Sequence, residues 1–281
     1  MYRSATQRMI LVLIPVLFAI HADIAAAAQP DDDIDQGWRR KPEDGWDVTL
    51  GGGGASLPKY PGSDEQKTRA LPIVDVRYGR FFLGGDSGPG GSGPGGGLGM
   101  NFYEDERWRI GAAISASAFK ARNERDDARL RGLGDIDGTT RLATFAGYSS
   151  GWFDADVSVS RDVGGNKQGL VAELDLSASW PVSRKFLISA GPSVTWANGE
   201  HMQTFYGIDA QQSARSGRPQ YRAGSGVASV GFSASARYRI DAHWGLGAFV
   251  STSQLQGDAK DSPIVQDRTQ NVFGVFTTYH F

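Results

Sequence analysis

Gln168–Trp180 reads QGLVAELDLSASW: Leu170, Ala172, Leu174, Leu176, Ala178 and Trp180 alternate with Val171, Glu173, Asp175, Ser177 and Ser179. Side chains on a strand change face at every residue, so one face here is continuously apolar and the other carries carboxylates and hydroxyls. A soluble sandwich shows the same alternation with its apolar face turned inward, and this stretch alone leaves both architectures open. Its length suits the roughly 9–11 residues that a tilted membrane strand requires.

The same pattern recurs on both sides of it. Trp108, Ile110, Ala112, Ile114, Ala116 and Ala118 oppose Arg107, Arg109, Ser115 and Ser117, and Phe153, Ala155, Val157 and Val159 oppose Asp154, Asp156, Ser158 and Ser160. Ala228, Val230, Phe232, Ala234, Ala236 and Tyr238 oppose Ser229, Ser233, Ser235 and Arg237, and Trp244, Leu246, Ala248 and Val250 oppose Gly245, Gly247 and Ser251. Three features select a membrane barrel over a sandwich. Rings end the apolar rows (Trp108, Tyr148, Trp180, Trp196, Tyr238, Trp244, Tyr279), where a lipid-facing band meets headgroups. Short connections near Tyr103–Arg107, Ser149–Gly151, Pro181–Lys185 and Arg239–His243 alternate with long polar ones near 83–96, 119–138, 163–168, 197–226 and 255–270. Short turns on one rim and long loops on the other are the outer-membrane arrangement. Finally, the chain ends on an aromatic, with Phe273, Val275, Thr277, Tyr279 and Phe281 on one face, which resembles the assembly signal read by the outer-membrane insertion machinery.

Outside these segments, Arg3 and Arg8 precede an apolar stretch Met9–Ile20 and the small-residue run Ala25–Ala28. This predicts a signal peptide over 1–28, cleaved before Gln29; the apolar stretch is short of the ~20 residues of a spanning helix. Residues 29–44 (QPDDDIDQGWRRKPED) are charged and aperiodic and read as a periplasmic leader, leaving 45–281 for the barrel. No later apolar run approaches helical spanning length, which excludes a helical membrane bundle. The chain lacks Cys, so thiolate chemistry and disulfides are excluded; the net charge of −2 without a basic stripe argues against nucleic acid. Its 38 glycines in 281 residues exceed the usual ~7% and suit crowded, twisted strands.

The expected fold is therefore all-β, a closed antiparallel transmembrane barrel. With both termini periplasmic the strand number is even. Strands are expected near 45–55, 67–77, 80–86, 95–103, 107–118, 138–149, 151–162, 168–180, 186–196, 227–239, 243–254 and 271–281. These make twelve, or ten if the early hairpin does not span. The inward rows would carry Asp75, Arg77, Arg109, Arg141, Asp154, Asp156, Glu173, Asp175 and Arg237, with Tyr103, Phe119 and Phe145 filling the lumen beside them. Nearly balanced charge in a barrel of intermediate width points to a narrow or obstructed channel, not a general porin.

Single motifs carry little. The 84–99 stretch (GGDSGPGGSGPGGGLG) lacks the Gly-Lys-Ser/Thr ending of a phosphate loop and reads as a mobile external loop. Asp135-Ile136-Asp137 offers two carboxylates for a hard cation, yet spacing two is as well explained by an Asp-rich turn. Of the histidines, His21 leaves with the signal, His243 borders a turn, His280 lies on the inward row of the last strand, and His201 beside Glu200 is the one loop candidate for a catalytic base. No nucleophile motif surrounds it, so the chain is read as non-enzymatic, without cofactor or metal.

Several stretches together resemble the MipA/OmpV family: Tyr60–Asp64, Leu71-Pro72, Leu130–Asp137, Phe205–Ile208 followed by Ala223-Gly224, Leu255–Ala259 with Ser262–Val265, and the terminal Tyr279–Phe281. The Gly/Pro expansion at 84–99 departs from that pattern. The resemblance implies an outer-membrane protein which, in the namesake member, is a scaffold joining a murein-degrading lytic transglycosylase to a bifunctional penicillin-binding protein. Other members are associated with adhesion and with solute or antibiotic passage, so the alternative expectation is a narrow small-solute channel or a surface adhesin or receptor using the 119–138 and 197–226 loops. Expected partners are outer-membrane lipid, the assembly machinery and, through the resemblance, those two murein enzymes; they would dock on the leader and on the turns near 104–107, 181–185 and 239–243.

Overall fold

A computed structural model describes residues 45–84, 97–117 and 120–281. The signal and leader segments, most of the Gly/Pro loop, Ala118 and Phe119 lie outside the described residues. Twelve antiparallel strands close into one ring: β1 (Trp46–Pro58), β2 (Gln66–Tyr78), β3 (Phe81–Gly84), β4 (Gly97–Glu104), β5 (Trp108–Ala116), β6 (Thr140–Ser150), β7 (Phe153–Asp162), β8 (Leu170–Ser183), β9 (Phe186–Ala197), β10 (Gly226–Arg239), β11 (Trp244–Leu255) and β12 (Thr269–His280). Each strand pairs with its sequence neighbours, and β12 returns to β1 from Thr49↔His280 to Ser56↔Phe273. Closure gives every interior ladder position a partner, which a backbone in hydrocarbon demands. Among the described residues no helix is long and apolar enough to span a membrane.

The alternation sorts as the periodicity requires. Leu174, Val157, Leu246, Val250, Phe273 and Val275 stand exposed on the outer face, an apolar band that lipid covers. At the short-turn rim, directly paired rings form a girdle: Trp46 with Tyr78 at 4.9 Å, Trp108 with Tyr148 at 4.9 Å and Trp244 with Tyr279 at 5.0 Å between centroids. Phe281 stacks edge-on against Tyr279 there, and its N–H donates to the Val48 carbonyl, so both ends of the barrel meet at this rim. Leu174→Arg, at mid-strand on the lipid face, is expected to cost about 2–4 kcal/mol of barrel stability. Urea unfolding in phospholipid vesicles measures it; unchanged stability would mean that this face does not meet lipid.

Inside, glycine and phenylalanine answer each other across strands. Phe82 stands opposite Gly99, Phe145 opposite Gly111, Phe249 opposite Gly274, and Phe276 opposite Gly247. A Cβ on Gly99 would lie 2.1 Å from the Phe82 ring, and one on Gly247 would lie 2.2 Å from the Phe276 ring. The rings lie flat over bare backbone, which is how such glycine content becomes packed wall.

Two bulges overturn expectations from strict parity. The register slips between Asn101 and Tyr103, so Tyr103 faces Ile110 on the outer surface and not the lumen. A second slip between Val227 and Ser229 leaves Val227 paired with Trp196, while Ala228 turns away from lipid and is buried in an apolar cluster above the barrel. One extra residue reverses every face on its side of the slip.

The largest fully buried side chains, Leu130, Met202, Ile208 and Ile264, all belong to the long loops. These loops carry their own structure: α1 (Gly199–Tyr206), α2 (Ala210–Ser216), α3 (Gly257–Lys260) and a 3-10 turn Ala128–Leu130. Asn198 caps α1 by accepting from the His201 N–H, and also accepts from the Leu170 N–H, which ties the helix to the top of β8. Asp209 and Gln212 form a reciprocal capping box on α2, which ends at Gly217 with φ 71°. The polar look of 197–226 therefore conceals two helices. In the ring, the β5–β6 and β11–β12 connections are six strands apart and thus diametrically opposed. Leu130 and Leu133 from the first pack with Ile264 from the second, around Tyr60 and Ile208. A cluster shared by opposite walls spans the mouth as a cap.

Candidate functional site: the capped chamber

Backbone groups of the cap are tied by side chains from other loops. Arg218 donates from Nε to the Arg129 carbonyl at 3.1 Å and from Nη1 to the Pro263 carbonyl at 3.0 Å, joining three loops. Gln212 donates to the Leu133 carbonyl at 2.7 Å, and Ser262 Oγ to the Tyr206 carbonyl at 2.5 Å. Arg122, almost wholly buried, reaches the Phe205 and Gly134 carbonyls at 3.4 and 3.5 Å; burial pushes its pKa down to about 10, so it remains a cation at neutral pH. Asp135 is occupied by Lys120 and by the Glu124 N–H, the bonding of a structural turn.

Beneath the cap lies a chamber of about 740 Å³. Tyr60, Lys120, His201, Phe205 and Tyr206 line it from the cap, and Arg69, Arg141, Glu173 and a set of serines from the wall. His201 stacks on Phe205 at 4.4 Å, and its Nδ1 lies 2.8 Å from the Gln168 carbonyl, so Nδ1 carries the proton. Burial holds its pKa down at about 4, and nearby Arg141 adds to the depression.

That shift has a definite sign. Released from the cap, His201 takes up a proton near its ordinary 6.5, whereas packed it resists until about 4. Cap stability is therefore full above pH 6.5 and declines as pH falls toward 4. Asp64 and Asp135, held below the ordinary 3.8 by hydrogen bonds from Arg129 and Lys120, lose their contribution only at still lower pH. Protease nicking within 198–225 is expected to rise as pH falls from 6.5 to 4, and His201→Gln to flatten that profile while leaving any change below it.

The structure distributes the expected lumen charges along the barrel. Arg141 and Glu173 reach the chamber. Lower down, Asp75 pairs with Arg77 at 3.2 Å, and Arg109 with Asp156 at 3.5 Å, its guanidinium 5.6 Å above the Phe145 ring. Asp154 accepts from Ser149 Oγ at 2.6 Å; Asp175 stands opposite Asp156, and Arg237 opposite Gly247. Near the seam, His280 Nδ1 lies 3.5 Å from Asp47 and 3.4 Å from Thr49 Oγ1. On the outer face of β12, Phe273, Val275 and Phe281 are exposed, Tyr279 sits in the girdle, and Thr277 donates to the Gly245 carbonyl at 3.0 Å. Sequence reading missed Arg69, although it shares parity with Asp75 and Arg77 on β2. His201 does lie in the long 197–226 connection, but on a helix, for which the Asn198 cap and the Asp209–Gln212 spacing were the signals; that this helix reaches the lumen had none.

A closed ring of twelve strands with an apolar outer band, an aromatic girdle and inward charge is an outer-membrane β-barrel. The family model described as "MltA-interacting protein MipA" matches residues 50–281, and the chain belongs to that family. It is 23% identical over 237 residues to "Putative outer membrane protein YiaT" of Escherichia coli K12, covering 84% of this chain and 91% of that one. Among solved structures, the COG4313 outer membrane channel from Pseudomonas putida F1 is similar at 14% identity and TM-score 0.45, covering 90% of this chain and 100% of its own. OmpT of Vibrio cholerae is similar at 10% identity and TM-score 0.38, covering 86% and 99%. Most of the stretches that carry the family resemblance gather in the cap: Tyr60, Leu130, Leu133, Ile208 and Ile264 form one cluster, and Tyr206, Ala223, Leu255 and Ala259 belong to the other, whereas Leu71 lies on the barrel wall and Tyr279–Phe281 at the short-turn rim.

Proposed function

We propose that this barrel is a non-enzymatic anchor for murein-processing enzymes at the inner face of the outer membrane. Its partner is a lytic transglycosylase of the MltA type, with a penicillin-binding protein as second partner. The carrying observation is the family match over 50–281, whose description names an MltA-interacting protein. The cap across the outer mouth supports the reading, because it argues against a wide passage and leaves the short-turn rim as the side that faces murein. On this reading residues 1–28 are a cleaved signal, 29–44 a docking leader and 45–281 the membrane anchor. The outward row Phe273, Val275, Thr277, Tyr279 and Phe281 is the signal for insertion. The test is capture of an MltA-type lytic transglycosylase from the same cell on the purified barrel. Enrichment over an unrelated barrel, reduced when 29–44 are removed, is expected; equal recovery on both barrels counts against the anchor.

A second reading, a narrow route for a small solute, is favoured by the chamber and its charges. Steady single-channel steps in planar bilayers would support it.

A further inference from the structure

The charges around the chamber do not all cancel. Lys67 is held by Asp126 at 3.0 Å, Lys59 by Glu65 and Lys120 by Asp135. The side chain of Arg69, on the inward row of β2, has no hydrogen bond or ion pair among the described residues. Arg141 is anchored to neutral groups only: Ser160 Oγ at 3.0 and 3.2 Å, the Ser160 carbonyl at 3.1 Å and the Gln168 carbonyl at 3.5 Å. Those four contacts leave at least one of the five guanidinium N–H groups for a guest. Against these two cations stands one chamber carboxylate, Glu173, with no direct partner among the described residues. The Asp162 and Glu173 carboxylates both act on Arg141, so the unanswered cation of the lining is Arg69, which leaves room for one anionic charge.

Hydroxyls share the rest of the lining with aliphatic side chains, among them Leu57, Val171, Leu255 and Val272. Ser115, Thr195, Ser229 and Ser253 come from four different strands around the wall, each able to donate and to accept. His201, with its proton on Nδ1, presents Nε2 as an acceptor. Phe205 and Tyr206 supply apolar surface from the cap. A site with a few charges, several hydroxyls and apolar surface, with a volume of about 740 Å³, has the make-up and size of a small-ligand site.

We propose that the chamber binds a small polyhydroxylated monocarboxylate, a sugar acid. Arg141 and Arg69 take its carboxylate, as guanidinium groups do in forked geometry. Glu173 and His201 accept from its hydroxyls, and the wall serines complete the shell. A simple carboxylate would leave those hydroxyls to water, and a neutral sugar would leave the arginines unanswered. The inference stands apart from the anchor role: ligand binding needs no murein enzyme, and enzyme capture needs no ligand.

The experiment is equilibrium binding of D-glucuronate to the detergent-solubilised full-length barrel by isothermal titration, with D-glucose, acetate and inorganic phosphate as comparison probes. Saturable binding of one glucuronate per barrel is expected, with each comparison probe at least tenfold weaker. Arg69→Gln and Arg141→Gln should each weaken glucuronate at least tenfold, while Arg237→Gln, far down the wall, leaves it unchanged. Arg69 is exposed to the chamber and anchors nothing, so its replacement keeps the test valid even if the Arg141 variant does not fold. Absence of glucuronate binding, or unchanged binding in Arg69→Gln, overturns the proposal. Phosphate or acetate binding as tightly as glucuronate also overturns it, by reducing the site to a general anion trap.

Discussion

Gly53→Val is expected to abolish assembly of the barrel, while Gly54→Val, its immediate neighbour, leaves assembly intact. Gly53 lies on the inward face of β1 at the seam, opposite Phe276 of β12. A Cβ there would sit 2.1 Å from the Val275 carbonyl oxygen and 2.8 Å from the Phe276 Cα. Those are backbone atoms of the closing strand, with no flexible tip that can swing aside. Relief requires β1 and β12 to part, which strands ladder groups of both strands in hydrocarbon. The cost therefore exceeds the about 1–3 kcal/mol of ordinary overpacking, which a core absorbs by shifting side chains. Gly54 points outward, its nearest neighbour 3.9 Å away at the Arg69 carbonyl, and a valine there meets lipid. Membrane fractionation with heat-modifiable gel mobility reads the result: at least a tenfold loss of the compact species for Gly53→Val and none for Gly54→Val. Normal assembly of both would mean that the seam is not as close as its register indicates.

Leu130→Ala and Ile264→Ala are each expected to cost the cap about 2–5 kcal/mol and leave the barrel standing. Both side chains are wholly buried and come from opposite walls of the ring, so each truncation opens a void in the cluster that spans the mouth. The strands below are held by their own ladders and by lipid, which separates the two parts energetically. Hydrogen exchange should accelerate across 120–138 and 199–216 while the strand amides keep their protection. Bilayer conductance should rise in the same variants, because the cap stands across the outer mouth. If strand and cap amides lose protection together, cap and barrel are one cooperative unit and this division is wrong.

The barrel itself was legible because membrane strands must alternate. The row Leu170 to Trp180, the terminal Phe281 and the long and short connections located twelve strands to within a few residues. Parity failed at the Asn101/Tyr103 and Val227/Ser229 slips. A bulge is a relation between two strands, and nothing in either strand alone marks it. The chamber was half legible: Arg141 and Glu173 followed from the inward rows, whereas His201 stood out only as a lone loop histidine and the cap above it only as polar loops.

By itself the sequence determined that this chain closes a sheet in the outer membrane, which face meets lipid and which end holds the turns. Those properties follow from neighbours two residues apart on one strand. Only the tertiary structure decided that Tyr60, Leu130, Ile208 and Ile264, scattered along the chain, meet over the mouth, and that Arg69, Arg141, Glu173 and His201 surround one chamber. Residues so distant in sequence share no periodicity, and they become neighbours only when β12 joins β1 and brings the loops of opposite walls within reach of one another.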